Sequence, residues 1–483
     1  MSRNFPEGFV LGAAASAYQI EGAAFEDGRT ASIWDAFCRV PGAIIAGENG
    51  DVACEHYHRM PNDVALMQQL GLESYRFSTS WARIKPDDGP VNPKGIDFYS
   101  RLVDELLDRD ILPWLTLYHW DLPQSVEEQG GWTNRDTAFR FRDFALDVHA
   151  ALGDRVDVWT TLNEPWCASF LSYTAGAHAP GRTSAAAGLQ AAHHLMLGHG
   201  LAVNALRAHD PALDLGITLN LTVVHPADPL RPGDIDAARR IDGQFNRVFL
   251  DPVLRGEYPE DLLQDLRNDD LGHVLESCVH DGDLAVINAP INTLGVNYYH
   301  GELVSDLPAE GSRGDAAPTE RPTRSPFPAA KTVHWHPQHL PVTAMDWDVQ
   351  PEGLTELLLR VHREYTSSRG IRLAVTENGA AFDDTVTADG TVCDESRTSF
   401  LLDHLAATLD AIDAGANVTA YFAWSLLDNF EWAWGYDKRF GIVHVDFETQ
   451  QRTIKHSGAR YAEVIAARAL PAGDAREHSK LNT

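Results

Sequence analysis

The sequence predicts an α/β protein, a single (β/α)8 TIM barrel with elaborated βα loops. Three observations lead there. Eight short apolar, β-rich runs recur along the 483 residues, helix-like segments separate most of them, and most runs are continuous rather than alternating in hydrophobicity. Continuous runs suit parallel strands that are covered by helices outside and by packed side chains within. Repeated strand–helix units imply a parallel sheet, and eight of them suggest that it closes on itself.

In chain order the runs are "FVLGAAASAY" (9–18), "LESYRFSTSW" (72–81), "ILPWLTLYHW" (111–120), "VDVWTTLNEP" (156–165), "LDLGITLNLTVV" (213–224), "NTLGVNYYH" (292–300), "RLAVTENG" (372–379) and "VTAYFAWSLLD" (418–428). Helical periodicity lies between them. "NDVALMQQLG" (62–71) opens on a capping Asn, closes on a Gly and spaces Val64, Met67 and Leu70 by three. "GIDFYSRLVDELLDRD" (95–110) and "SRTSFLLDHLAATLDAIDAG" (396–415) carry apolar stripes of the same kind. One stretch breaks the rhythm: 305–330, rich in Pro, Gly, Ser and charge, reads as a long surface loop after the sixth strand. Length alone suggests two or three domains, but barrels with long loops exceed ~400 residues as one domain. With no internal repeat and no linker, 1–470 is expected to form one domain and 471–483 a disordered tail.

Composition narrows the partners. A net charge of −30 argues against nucleic acid and against an anionic membrane surface. No run is apolar enough to span a bilayer, and the N-terminal "MSRNFPEGFVLG" has neither the basic region nor the apolar core of a signal peptide. The five cysteines (Cys38, Cys54, Cys167, Cys278 and Cys393) are scattered without a C-x-x-C pair, so neither a disulfide framework nor a zinc site is expected. The expected location is the cytoplasm. His56/His58, the pair at 193–194 and "HWH" at 334–336 lack a third ligand at metal spacing, and no metal is expected.

Barrel enzymes carry their chemistry at the C-terminal ends of the strands. Here those ends are polar and aromatic: Gln19 after the first, Arg76 on the second, His119 and Trp120 on the third, Asn163 and Glu164 on the fourth. The sixth brings Asn297 and Tyr299, the seventh Glu377 and the eighth Trp424. Any one of them has a plainer reading, Glu164 as a helix cap, His119 as a structural histidine, the tryptophans as rim packing. Together they suit a carbohydrate, whose hydroxyls need amides, imidazoles and carboxylates while its C–H face needs an indole. Two carboxylates on different strands can then serve as acid and nucleophile at a glycosidic bond.

At this point the chain resembles glycoside hydrolase family 1, the β-glucosidase and β-galactosidase family. The likeness runs from "FPEGFVLGAAASAYQIEGA" (5–23) through "TLYHWDLPQ", "TTLNEPW", "GVNYY", "VTENG" and "AWSLLDNFEWAWGYDKRFGI" to "GIVHVDFETQQRTIKHS" (441–457). It implies a retaining double displacement with Glu164 as acid/base and Glu377 as nucleophile, Arg76 and Tyr299 favouring the anion of Glu377, and Asn297 in the same machinery. It also implies that Gln19, His119, Asn163, Glu431 and Trp432 hold the sugar over Trp424, that Trp120 lines the same pocket, and that Trp166 and Trp347 face the aglycone. A cis peptide at Trp424–Ser425 follows from the same likeness. Small departures ("CEH" at 54–56, "STS" at 78–80, no Trp in "HSGARYAEVIA") touch none of these residues.

The function this implies is hydrolysis of terminal β-D-glucosyl units, with β-galactosides and β-fucosides beside them. The expected partners are small β-glucosides and cello-oligosaccharides, with monomer and homo-oligomer left open. No cofactor is needed, since two carboxylates supply acid, base and nucleophile. Three alternatives stand beside it. A 6-phospho-β-glycosidase would need a cationic pocket near C6, where Glu431 repels phosphate although Lys438 and Arg439 follow. A transglycosylase would pass the same intermediate to an alcohol. A silent sugar-binding protein would normally have lost a carboxylate, and both are present.

Overall fold

The computed structural model describes residues 3–309, 319–388 and 390–471. Eight parallel strands close into a barrel in which each pairs with its sequence neighbours and the last returns to the first. They are β1 (Val10–Ala14), β2 (Ser74–Ser78), β3 (Leu112–Tyr118), β4 (Val158–Asn163), β5 (Asp214–Asn220), β6 (Thr293–Asn297), β7 (Arg372–Asn378) and β8 (Val418–Trp424). Each falls inside one of the eight runs read from the sequence. The reason is visible in burial: β2 and β6 are buried at every position, so no solvent face exists to impose an alternating pattern.

The barrel interior is a packed core of its own. Trp114 of β3 stands edge-on to Phe422 of β8 with centroids 5.0 Å apart, above the small side chains of Ala14, Ala374 and Ala420. The Trp114 indole N–H donates to Thr160 Oγ1 at 2.9 Å, so its one polar atom is satisfied. A second, larger core fills the space between the strands and the outer helices. Both cores leave the C-terminal strand ends free to carry polar groups.

Two expectations need revision. The helix read over 62–71 in fact spans His56–Gln69, with Pro61 inside it and Asn62 exposed in mid-helix. The Asn mimicked a start signal because the true start, at Glu55, has no side-chain cap. In the segment 305–330, residues 310–318 lie outside the described residues, as do 472–483 of the expected tail. The part that follows is no simple surface loop: 326–330 are buried, and Phe327 packs on Trp166 at 5.5 Å between ring centroids.

A buried ion network anchors the connection after β8. Lys455 Nζ reaches Asp428 Oδ1 at 2.7 Å and also pairs with Asp384, while Arg439 holds the other Asp428 oxygen at 2.7 Å. Lys455 and Asp428 are fully buried, and such pairs strongly resist loss of one partner. Through Asp428 the network fixes the loop that carries Asn429, Glu431 and Trp432. Among the described residues no helix is long and apolar enough to cross a membrane.

Candidate active site

Two carboxylates come to the same cavity from strands three places apart in the barrel. Glu164 follows β4 and Glu377 sits on β7, and both line a cavity of ≈ 600 Å³ at the C-terminal mouth. Local backbone irregularity aims them. The pairing register of β7 shifts between Val375 and Glu377, and that of β4 shifts between Thr160 and Asn163; such bulges redirect side chains. Glu164 itself has φ +48° just before Pro165, and Trp120 and Trp432 also sit at positive φ, +77° and +52°. Non-glycine residues rarely adopt that region, and it clusters at functional sites. Pro165 then opens a helical turn in which the Ala168 N–H donates to the Glu164 carbonyl at 3.1 Å. The strand thus stops on an acid because strand, strained corner and helix meet there.

The two acids have different neighbours. Arg76 Nη1 donates to Glu377 Oε1 at 2.7 Å, and the Tyr299 hydroxyl donates to Oε2 at 2.7 Å. Among the described residues Glu164 touches no cation. Its Oε1 accepts from Asn297 Nδ2 at 2.6 Å and its Oε2 from the Cys167 thiol at 3.1 Å. Thr376 Oγ1 donates to Asn297 Oδ1 at 2.7 Å, which fixes the amide with its NH2 toward the acid. Burial, and then the Glu377 charge, push the Glu164 carboxyl up to about 8. Burial raises Glu377 as well, but Arg76, Tyr299 and Asn297 all pull it back. When the pair shares one proton, it therefore rests on Glu164.

Behind the cavity wall a second layer holds the first. Arg76 Nη2 donates to Asn163 Oδ1 at 2.6 Å, and Asn163 Nδ2 faces His119 Nε2 at 3.1 Å. With Nε2 accepting, His119 carries its proton on Nδ1. Burial, and then Arg76, hold it well below the usual imidazole range, so the ring is neutral. Gln19 Nε2 donates to Asn429 Oδ1 and the Phe430 carbonyl, both at 3.0 Å, tying β1 to the loop after β8.

Of the residues singled out in the sequence, His119, Trp120, Glu164, Trp166, Asn297, Tyr299, Trp347, Glu377, Trp424, Glu431 and Trp432 line the cavity. Gln19, Arg76 and Asn163 do not; they are buried beneath it and bond to those that do. His119 lies nearly parallel to Trp424 and Trp432, at 5.8 and 6.0 Å between centroids. The Trp424–Ser425 peptide is cis. Several lining residues escaped the sequence reading. Cys167 stands one helical turn after Glu164, a spacing that signals contact. Asn220 ends β5 at the very position that marked the other strands. His178, with its pKa pushed down to about 3 by burial, comes from a loop, and Phe245 from the helical turn Gly243–Arg247; neither segment carried a signal.

Glu431 differs from expectation in its charge. Burial, then Glu377 and Glu164, raise its carboxyl to about 8, so it keeps its proton to higher pH than a free carboxyl does. Lys438 pairs with Asp437, Arg439 with Asp428, and neither lines the cavity. His56, one of the weak metal candidates, is bonded to Asp63 at 2.8 Å, and His193 to Asp283 at 3.0 Å.

Gly379 closes the motif after Glu377 for a steric reason. A Cβ there would overlap the Trp424 carbonyl oxygen, so only glycine lets the ends of β7 and β8 approach. Gly379→Ala is expected to lower Tm by about 1–3 °C, as overpacking worth about 1–3 kcal/mol does in a chain of this length. It is also expected to cut kcat/KM about tenfold or more by moving the carboxylate. Melting curves and aryl-glucoside kinetics check both; an unaltered kcat/KM would show that the approach does not position Glu377.

A model of the family described as "Glycosyl hydrolase family 1" matches residues 1–470. The chain is 49% identical to the thermostable beta-glucosidase B of Thermobispora bispora over 98% of its own length and 92% of that protein. It is 46% identical to a bifunctional beta-D-glucosidase/beta-D-fucosidase of Bifidobacterium breve, over 96% of this chain and 99% of the other. The crystal structure of a psychrophilic beta-glucosidase from Micrococcus antarcticus superposes with a TM-score of 0.93 at 55% identity, covering 96% of this chain and 98% of that one.

Proposed function

The chain belongs to glycosyl hydrolase family 1, and on that premise we propose that it is a retaining β-glucosidase whose nucleophile is Glu377 and whose acid/base is Glu164. The observation that carries the assignment of roles is the unequal setting of the two acids: an arginine and a phenol on Glu377 and, among the described residues, no cation on Glu164. The substrates we propose are β-glucosides, cello-oligosaccharides among them. β-Fucosides are accepted beside them, as the name of the Bifidobacterium breve relative suggests, and β-galactosides as well.

In the first step a Glu377 oxygen attacks the anomeric carbon while Glu164 gives its proton to the departing glycosidic oxygen. A glycosyl ester forms, and the alcohol leaves neutral. Esterification removes the charge of Glu377, and with it the repulsion that kept Glu164 protonated. Glu164 then takes a proton from water, which attacks the same carbon from the opposite side of the ester and releases glucose with its configuration retained. His119, Glu431 and Trp432 hold the hydroxyls, Gln19 and Asn163 position Glu431 and His119 from beneath, Trp424 is the floor, and Trp120 closes the side. While it keeps its proton, Glu431 can both donate to and accept from the O4 and O6 hydroxyls. A 6-phosphate would bring a dianion to three carboxyl groups with no cation from Lys438 or Arg439 to meet it, so the phospho reading is not favoured.

The pH profile tests the assignment. For a phenyl glucoside kcat/KM is expected to fall on the alkaline side with an apparent pKa within about one unit of 8, as Glu164 loses its proton. A limb that falls at the ordinary carboxyl value, below about pH 5, would contradict a buried acid facing a second carboxylate.

A further inference from the structure

Glu164 must first give a proton and then take one, and its two oxygens are held unequally. Oε1 accepts from the Asn297 amide at 2.6 Å, and Oε2 faces the Cys167 thiol at 3.1 Å. The shorter bond marks Oε1 as the carbonyl oxygen of the acid, which leaves the proton on Oε2, beside the sulfur. The sulfur is itself placed. Cys167 opens the helical segment Cys167–Ala175, and its carbonyl accepts from Ser172 Oγ at 3.0 Å. Asn220 Nδ2, at the end of β5, donates to Sγ at 3.7 Å. With an N–H on its sulfur, the thiol has its own proton to give, and Glu164 Oε2 is the acceptor it meets. Burial, then the charges of Glu164 and Glu377, hold Cys167 far above the usual thiol range, so it stays a donor.

Resting on the glucosidase reading above, we propose that Cys167 is a positioning residue for the acid/base, its thiol holding Oε2 loosely in the acid and firmly in the anion. The hydroxyl oxygen of a neutral carboxyl accepts poorly, whereas a carboxylate oxygen draws a charge-assisted bond. The bond therefore strengthens as Glu164 gives its proton to the leaving oxygen, and it lasts while the anion awaits water. A thiol suits both states because it is a weak donor, which costs little where the proton must stay. The charged and titratable groups that face Glu164 from other elements are Glu377 of β7, Arg76 of β2, Tyr299 after β6 and Glu431 after β8. A substitution at Cys167 leaves all four in the chain, so it isolates the thiol.

The test reads two pH limbs in Cys167→Val, which fills the space without a donor, and in Cys167→Ser, which keeps one. With phenyl glucoside, the alkaline limb of kcat/KM follows Glu164 as acid in the free enzyme. With dinitrophenyl glucoside, whose first step needs no proton, the acid limb of kcat follows Glu164 as base in the ester. Removing a donor to the anion favours the protonated form in both states. Cys167→Val is therefore expected to move both limbs upward by about half to one pH unit. Cys167→Ser should leave both at or below their original positions. The amount of folded protein and the contacts to the aglycone scale kcat/KM without moving a free-enzyme limb, so neither imitates this pattern. Unmoved limbs in Cys167→Val, movement of one limb alone, or equal shifts in the two variants would overturn the proposal. An alkaline limb that persists in Glu164→Gln would instead remove the acid/base reading beneath it.

Discussion

Glu377→Gly is expected to lose roughly 10⁴–10⁶-fold in kcat on aryl glucosides while remaining folded, since deleting a nucleophile leaves only binding and the remaining charges to act. The fold should survive because the removed side chain faces a cavity, and Arg76 keeps a second partner in Asn163 at 2.6 Å. The gap left beside Arg76 should admit a small anion. Azide or formate is expected to restore part of the turnover, and the azide product should have the α configuration because it attacks from the face that Glu377 occupied. Chemical analysis of that product checks the geometry as well as the rate. Unchanged hydrolysis in Glu377→Gly would remove it from the reaction.

The second large effect is selective. Glu164→Ala is expected to slow phenyl glucoside about 10²–10⁴-fold, the contribution of a positioned acid. A dinitrophenyl glucoside, whose phenolate leaves without help, should lose less than about tenfold in kcat/KM. Azide here should give the β product, since it replaces water on the face that Glu164 serves. Kinetics across phenols of graded acidity measure this as a steeper dependence on leaving-group pKa. Equal slowing of both substrates would contradict Glu164 as proton donor.

The barrel was legible because its signal is repeated. Eight buried strands give eight apolar runs, and an error in one cannot hide the other seven. Boundaries were less legible, as the helix His56–Gln69 shows: Pro61 and Asn62 look like a start, yet tertiary packing carries the helix through them. The connection between β6 and β7 misled for a different reason. Its average composition is that of a surface loop, and the average conceals the short apolar stretch "PFPAA" at 326–330, which is buried beside Trp166.

For the site, topology supplied the residues at strand ends but not their pairings. Arg76 and Glu377 stand 301 residues apart, and no spacing rule connects them. Only the likeness to a known family joined them in advance. Asn220 shows that the strand-end rule had more to give, since β5 was the one strand to which it was not applied. The charge of Glu431 was out of reach, because it depends on three carboxyl groups meeting in one dry space. Composition cannot report that.

The central claim is that Glu377 becomes covalently bonded to the sugar. A glucosyl fluoride bearing fluorine at C2 slows both steps, while its good leaving group keeps the first one fast, so the ester accumulates. Digestion and mass spectrometry of the trapped protein then locate the label. The account requires one fluoroglucosyl unit on the peptide containing Glu377; a label on the Glu164 peptide, or steady turnover with no labelled peptide, would contradict it.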